Sequence, residues 1–215
     1  MRMLLISRAL SLGAVLFCFI ALLSMFWRVR SLSHHRDLAP PSGRGWEGIV
    51  YAYTKALLPW GKESTTKHLL SYLAGVVFHL STFFALFLFF FSFWRNSFPT
   101  HLKAGGSLVL LAGLLCGFGL LLKRTFTPYL RFLSHPDDYF SNLIVDAYLI
   151  VCWLSLNKGA FPLYFYLTAV IFFLYLPLGK LRHSFFCLYS RVIWGGFFGR
   201  RRVLSLWGRR ETQER

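Results

Sequence analysis

The chain has 215 residues, 56% of them hydrophobic and 15% charged, with a net charge of +16 and a mean hydropathy of +0.52. This composition excludes an ordinary soluble domain, in which charged residues make up about a quarter of the chain and mean hydropathy is not positive. Crossing the hydrocarbon takes about 20 apolar residues as a helix, so this length holds five or six spans with modest loops and leaves no room for a separate soluble domain.

Apolar windows run over residues 9–27, 70–94, 106–122, 141–157 and 161–179, each bounded by charged or Pro/Gly-containing stretches. The expected fold is all-α, a polytopic bundle of five transmembrane helices forming one membrane domain over residues 1–215. The first window follows Arg2 and Arg8 and leads into Met25-Phe26-Trp27-Arg28. It lacks the small-x-small cleavage site of a secretory signal, so it reads as a retained helix.

Between the first two windows, Trp46 to Trp60 carries Ile49, Val50, Tyr53, Ala56 and Leu57 at helical spacing with a tryptophan at each end. The pattern fits an interfacial helix on the inner leaflet or a partner-binding surface. The third window holds Gly113 and Gly117 four apart, with Gly105, Gly106 and Gly119 nearby, and small residues at this spacing let a neighbouring helix approach closely. The connection around Asn157 to Pro162 is short enough to make the fourth and fifth helices a tight antiparallel hairpin. Residues 184–215 read as a basic cytoplasmic tail.

Basic residues orient the bundle. With the N-terminus outside, the inner segments hold Arg28, Arg30, Arg36, Arg44, Lys55, Lys62, Lys67, Lys123, Arg124, Arg131, Lys180, Arg182, Arg191, Arg200, Arg201, Arg202, Arg209, Arg210 and Arg215, which is 19 of the 24. Arg2, Arg8, Arg95, Lys103 and Lys158 stay outside, so the positive-inside rule selects N-out and C-in. These cations lie between long apolar runs rather than on a soluble face, which excludes nucleic acid and points to anionic lipid. Cys18, Cys116, Cys152 and Cys187 lie in or beside separate apolar segments with no CxxC pair, so they read as core thiols and not as zinc or iron–sulfur ligands.

Polar side chains inside apolar spans are costly in lipid and carry the most information. His79 lies within Val77-Phe78-His79-Leu80-Ser81, and Asp146 within Leu143-Ile144-Val145-Asp146. His183 follows the fifth span in Pro177-Leu178-Gly179-Lys180-Leu181-Arg182-His183. The second helix rises from the inner side and the fifth descends to it, so both histidines belong to the inner half, with His79 roughly 10–15 Å in at 1.5 Å per residue. Two imidazoles from different helices can hold a haem, or each can be an ordinary hydrogen-bonded histidine. His68 reads as a polar interfacial residue. For Asp146 the alternatives are a proton acceptor, a partner for a nearby cation, or a side chain reaching back to headgroups.

Three stretches carry a family likeness: Phe78-His79-Leu80; Gly119-Leu120-Leu121-Leu122-Lys123-Arg124 followed by Phe126-Thr127-Pro128 and Arg131; and Pro177 to His183 followed by Gly199-Arg200-Arg201-Arg202. Pro136-Asp137-Asp138-Tyr139-Phe140-Ser141-Asn142 adds to it. The chain resembles the gamma (cytochrome b) subunit of respiratory nitrate reductase and its relatives, the membrane cytochromes of heterodisulfide-reductase-like and dissimilatory-sulfite-reduction-associated complexes. The nitrate-reductase members carry four haem-ligating histidines, two on the second helix and two on the last. His79 and His183 match the pair that holds the haem nearer the cytoplasm, whereas the outer pair falls on Phe89 and Phe165, which cannot bind iron. The resemblance therefore implies one haem b.

What it implies for function is a membrane cytochrome b subunit in the inner cell membrane, a non-catalytic electron-transfer subunit of its oxidoreductase complex, exchanging electrons between a menaquinone-type pool and a cytoplasmic iron–sulfur subunit. Lys180, Arg182 and Arg124 are then candidates for pairing with haem propionates or for positive-inside anchoring. The rival reading is a haem-free anchor or assembly subunit. A transporter lacks support, since there are no paired broken helices and no inverted repeat.

Overall fold

The computed structural model describes residues 2–32, 39–61, 63–95 and 98–204, and these form helices joined by short turns. In chain order they are α1 (Arg2–Ser31), α2 (Gly45–Tyr53), α3 (Glu63–Lys67), α4 (Leu69–Phe91), α5 (Thr100–Phe126), α6 (Pro128–Leu133), α7 (Pro136–Lys158), α8 (Leu163–Leu178) and α9 (His183–Arg200). Single 3-10 turns occupy Lys55–Leu57, Pro59–Gly61 and Lys180–Arg182. Each of the five apolar windows of the sequence falls on one of the long helices α1, α4, α5, α7 and α8.

Four helices, α1, α4, α5 and α7, are long and apolar enough to cross a membrane. The fifth, α8, has 16 residues, about 24 Å at 1.5 Å per residue, and reaches span length only when counted with the helix beyond its break at Gly179. The chain is a multi-pass membrane protein of four to five spans. It divides into two compact units, one of residues Met1–Trp27 with Leu70–Arg182 and one of Arg28–Leu69 with His183–Arg215.

In the first unit α7 is the central helix. Buried residues make up 44% of its apolar stretch against 22% for α1, α4 and α5, so the last three present most of their surface to lipid. The faces they do bury are built from small residues. On α5 the buried positions are Gly106, Leu110, Gly113 and Gly117, one stripe of a 3.6-residue helix, while Gly105 and Gly119 point outward. A Cβ at Gly113 would lie 2.1 Å from Ser81 Cβ of α4, and one at Gly117 would lie 2.2 Å from Asp146 Oδ1 of α7. On α1 the corresponding stripe is Ser7, Ser11, Ala14 and Cys18. Both serines donate to carbonyls three residues back, Ser7 to Leu4 and Ser11 to Arg8, so no hydroxyl is left unsatisfied.

The α7–α8 hairpin is as tight as its sequence implies. Gly159 adopts φ 73°, and its N–H and that of Ala160 close the last turn on the Ser155 carbonyl. Beyond it, α8 faces α4 through a buried aromatic cluster in which Phe89 meets Phe173 at 5.0 Å and Phe161 meets Phe165 at 5.2 Å between ring centroids.

The second unit corrects one expectation. The 46–60 stretch is not one helix: α2 ends at Tyr53, and 3-10 turns follow. Residues His183–Arg200 form the helix α9, whose partner is α2; residues 205–215 lie outside the described part. The face that α2 buries is Gly48 and Ala52, against Gly195 and Gly199 of α9. A Cβ on Gly48 would stand 2.1 Å from the Gly195 carbonyl oxygen, so the two backbones touch directly. Tyr53 donates to the Leu188 carbonyl at 2.5 Å, and the Ser42 and Gly43 N–H groups both donate to the Arg200 carbonyl at 2.9 Å. These last bonds occupy a carbonyl that the end of α9 leaves without an intrahelical partner.

Helix α9 ends in a Schellman turn. Val203 N–H donates to Phe198 O and Arg202 N–H to Gly199 O, both at 3.0 Å, with Arg202 at φ 56°. Glycine is usual at such a position, and an arginine there costs about 1–2 kcal/mol in backbone strain.

Gly48→Ala is expected to lower stability by about 1–3 kcal/mol, because the two touching backbones must part to admit the methyl group. Gly119→Ala, with nothing within 4 Å of the added carbon, is expected to be neutral or to stabilise by up to about 1 kcal/mol. Thermal melting of the detergent-solubilised chain checks the pair.

Candidate functional site

The site residues of the first unit gather at the end of the bundle where α4 begins and α8 ends. Two carboxylates at the start of α7 organise this end. His135 caps the helix: its N–H donates to Asp138 Oδ2 at 2.9 Å, and Pro136 occupies the first turn, where no N–H is needed. Asp138 Oδ1 receives Arg124 from the end of α5 at 2.9 Å and the Lys180 ammonium from the turn after α8. Tyr175 of α8 donates to Asp137 and lies 3.2 Å from the Ser141 hydroxyl. Three helix ends are thus tied by one acidic pair, a lock the sequence reading did not anticipate. Arg124 and Lys180, considered there for haem propionates, converge on Asp138.

Deeper in the same unit, Asp146 is 6% exposed and faces α5. Asn142 bridges the two helices, donating to Asp146 Oδ2 at 2.7 Å and to the Gly117 carbonyl at 3.2 Å. Asp146 Oδ1 has no hydrogen-bond partner among the described residues. The side chain does not reach toward headgroups or pair with a cation, as two of the sequence alternatives had it. Its room comes from Gly117, where any side chain would displace both the carboxyl and the Phe78 ring.

His79 follows Phe78 on α4 and lies on an exposed face of the helix. Its Nδ1 is 2.6 Å from the Gly75 carbonyl oxygen. A carbonyl only accepts, so Nδ1 is the donor in this contact. A backbone carbonyl that holds one ring nitrogen in this way fixes the orientation of the imidazole, as it does in metal-binding histidines. Phe89 and Phe165, the positions onto which the outer haem pair of the resembled family falls, are both fully buried and stack on each other with ring centroids 6.3 Å apart.

Arg182 ends the 3-10 turn after α8, with its side chain exposed. His183 is the first residue of α9 in the second unit and is also exposed. His68 lies between α3 and α4, and Cys18 and Cys152 are buried thiols. Among the described residues no group of three or more His, Cys, Asp or Glu side chains is placed to hold a metal ion. A haem iron, by contrast, takes two axial protein ligands, and two imidazoles suit it. Comparison with protein-family models, with curated proteins and with solved structures gives no match.

Asp138→Asn is expected to destabilise the first unit, and a double-mutant cycle with Arg124→Gln to give a coupling of about 0.5–1 kcal/mol, typical of a partly exposed pair. Asp146→Asn is expected to leave stability unchanged or to raise it, because it removes a buried carboxyl with one oxygen unbonded. Thermal midpoints of purified variants measure both.

Proposed function

We propose that the chain is the membrane cytochrome b subunit of a respiratory oxidoreductase complex of the inner cell membrane, five spans oriented N-out and C-in. It passes electrons between a quinone pool and an iron–sulfur partner on the cytoplasmic side through a single b-type haem. The observation that carries this reading is the pair Phe89 and Phe165. Sequence likeness alone assigned these positions to one outer haem, on different helices, and their rings meet in the core 6.3 Å apart. That contact supports the register of α4 against α8 on which the assignment of these two positions rests, and His79 lies on the same helix as Phe89. Neither phenylalanine can ligate iron, which supports one haem rather than two.

His79 and His183 would hold the iron. A bound haem supplies one-electron transfer, and the protein's part is to fix its ligands and surroundings. The Gly75 carbonyl fixes the orientation of the His79 imidazole. Arg182, beside His183, is the cation assigned to a propionate, while Arg124 and Lys180 secure the end of the bundle through Asp138. Asp146 is assigned to accept a proton in quinone chemistry, since it is the one carboxyl buried in the apolar core among the described residues.

A haem-free anchor of such a complex is the second reading. It is favoured by the engagement of Arg124 and Lys180 with Asp138, which assigns two of three propionate candidates a structural role.

The purified chain is expected to show the reduced α band of a b-type haem. His79→Ala and His183→Ala should each abolish the band and the extractable haem, whereas His68→Ala and His135→Ala should leave both. A folded chain without chromophore selects the anchor reading.

A further inference from the structure

Within the second unit an open cleft of about 590 Å³, within the range of small-molecule sites, lies along α2, α9 and the turns that follow them. Its wall is apolar, formed by Ala52, Ala56, Trp194, Phe198, Val203 and Leu204. Among the described residues the one ionisable group that lines it is Arg191, with the Ser190 hydroxyl beside it. Arg191 is fixed in place because its guanidinium donates to the Ala52 carbonyl of α2. A guanidinium has five N–H donors in a planar fork, suited to bind a phosphate group after one is spent on the backbone.

We infer that this cleft binds one anionic phospholipid, with an acyl chain against Trp194 and Phe198 and the headgroup phosphate on Arg191. Charge complementarity selects this occupant: among the described residues no carboxylate lines the cleft, and Arg200, Arg201 and Arg202 directly precede Val203 and Leu204 on its wall. The exposed surface of the second unit has the composition of a membrane interface. Trp46, Trp60 and Trp194 are 53%, 74% and 62% exposed, and apolar residues Leu188 and Val192 stand exposed beside basic ones.

The strained turn at Arg202 points the same way. The Schellman turn directs Val203 back toward Phe198, closing one end of the cleft, and glycine at residue 202 would make that turn without strain. An arginine at the strained position contributes charge where the cleft closes.

The test uses the full chain in phosphatidylcholine nanodiscs containing a phosphatidylglycerol probe with a diazirine at the end of one acyl chain. Labelled peptides are located by mass spectrometry. The expected label falls on the α9 segment holding Trp194 and Phe198, and a phosphatidylcholine probe labels it at least about fivefold less, the effect of one basic contact at an anionic surface. Arg191→Gln should remove this preference, and Arg191→Lys should keep part of it. Ala56→Trp fills the cleft without changing charge and should abolish labelling while the melting midpoint stays within a few degrees. Arg202→Gly should raise the midpoint yet reduce the headgroup preference. Equal labelling by both probes, labelling that survives Ala56→Trp, or displacement of the probe by a short-chain quinone would each overturn the assignment. None of these readouts depends on haem.

Discussion

Lipid offers a helix no hydrogen bonds and no hydrophobic gain for leaving it, so helices within a bilayer associate by how closely their surfaces fit. Several helix contacts of this protein follow from that constraint. Where α5 meets α4 and α7, the buried stripe is Gly106, Leu110, Gly113 and Gly117; where α1 joins the bundle, it is Ser7, Ser11, Ala14 and Cys18. Between α2 and α9, glycine meets glycine and backbone touches backbone. The many large apolar side chains, Leu16, Phe83 and Leu115 among them, point outward, the reverse of a soluble protein.

Close approach then determines which polar groups are possible. Gly117 gives Asp146 its space, and Asn142 occupies the gap between α5 and α7 with a bond to each side. At the bundle's end, Arg124, Tyr175 and Lys180 from the ends of α5 and α8 meet Asp137 and Asp138 at the start of α7. Such a network fixes the relative height of α5, α7 and α8, which apolar contacts against uniform hydrocarbon leave weakly specified. The aromatic core between α4 and α8 adds a second constraint farther along, where Phe89 is held by Phe165 and Phe173 at once.

The five apolar segments, the α7–α8 hairpin and the packing role of Gly113 and Gly117 were legible in the sequence because each rests on a local signal: run length, loop length or small-residue spacing. The α2–α9 pair was not. Its apolar residues Ile49, Val50 and Tyr53 drew attention to one face of α2, while Gly48 and Ala52, which lack bulk and thus lack signal, made the contact. The spacing of Gly45 and Gly48 against Gly195 and Gly199 contained the information, but only as a pair of segments distant in sequence. The same distance hid the lock on Asp138, since Lys180 and Arg124 read as topology markers until the fold brought them to one carboxylate. The stacking of Phe89 on Phe165 is a contact of the same kind, between segments distant in sequence.

The bonds from Ser42 and Gly43 to the Arg200 carbonyl join positions 158 residues apart. At about 5–20 residues per second, α2 emerges roughly 10–30 s before its partner helix exists. During that interval its glycine face is uncovered. Synthesis of α9 therefore sets the moment at which the second unit closes, and loss of that helix would leave α2 without a mate however well the spans themselves had inserted.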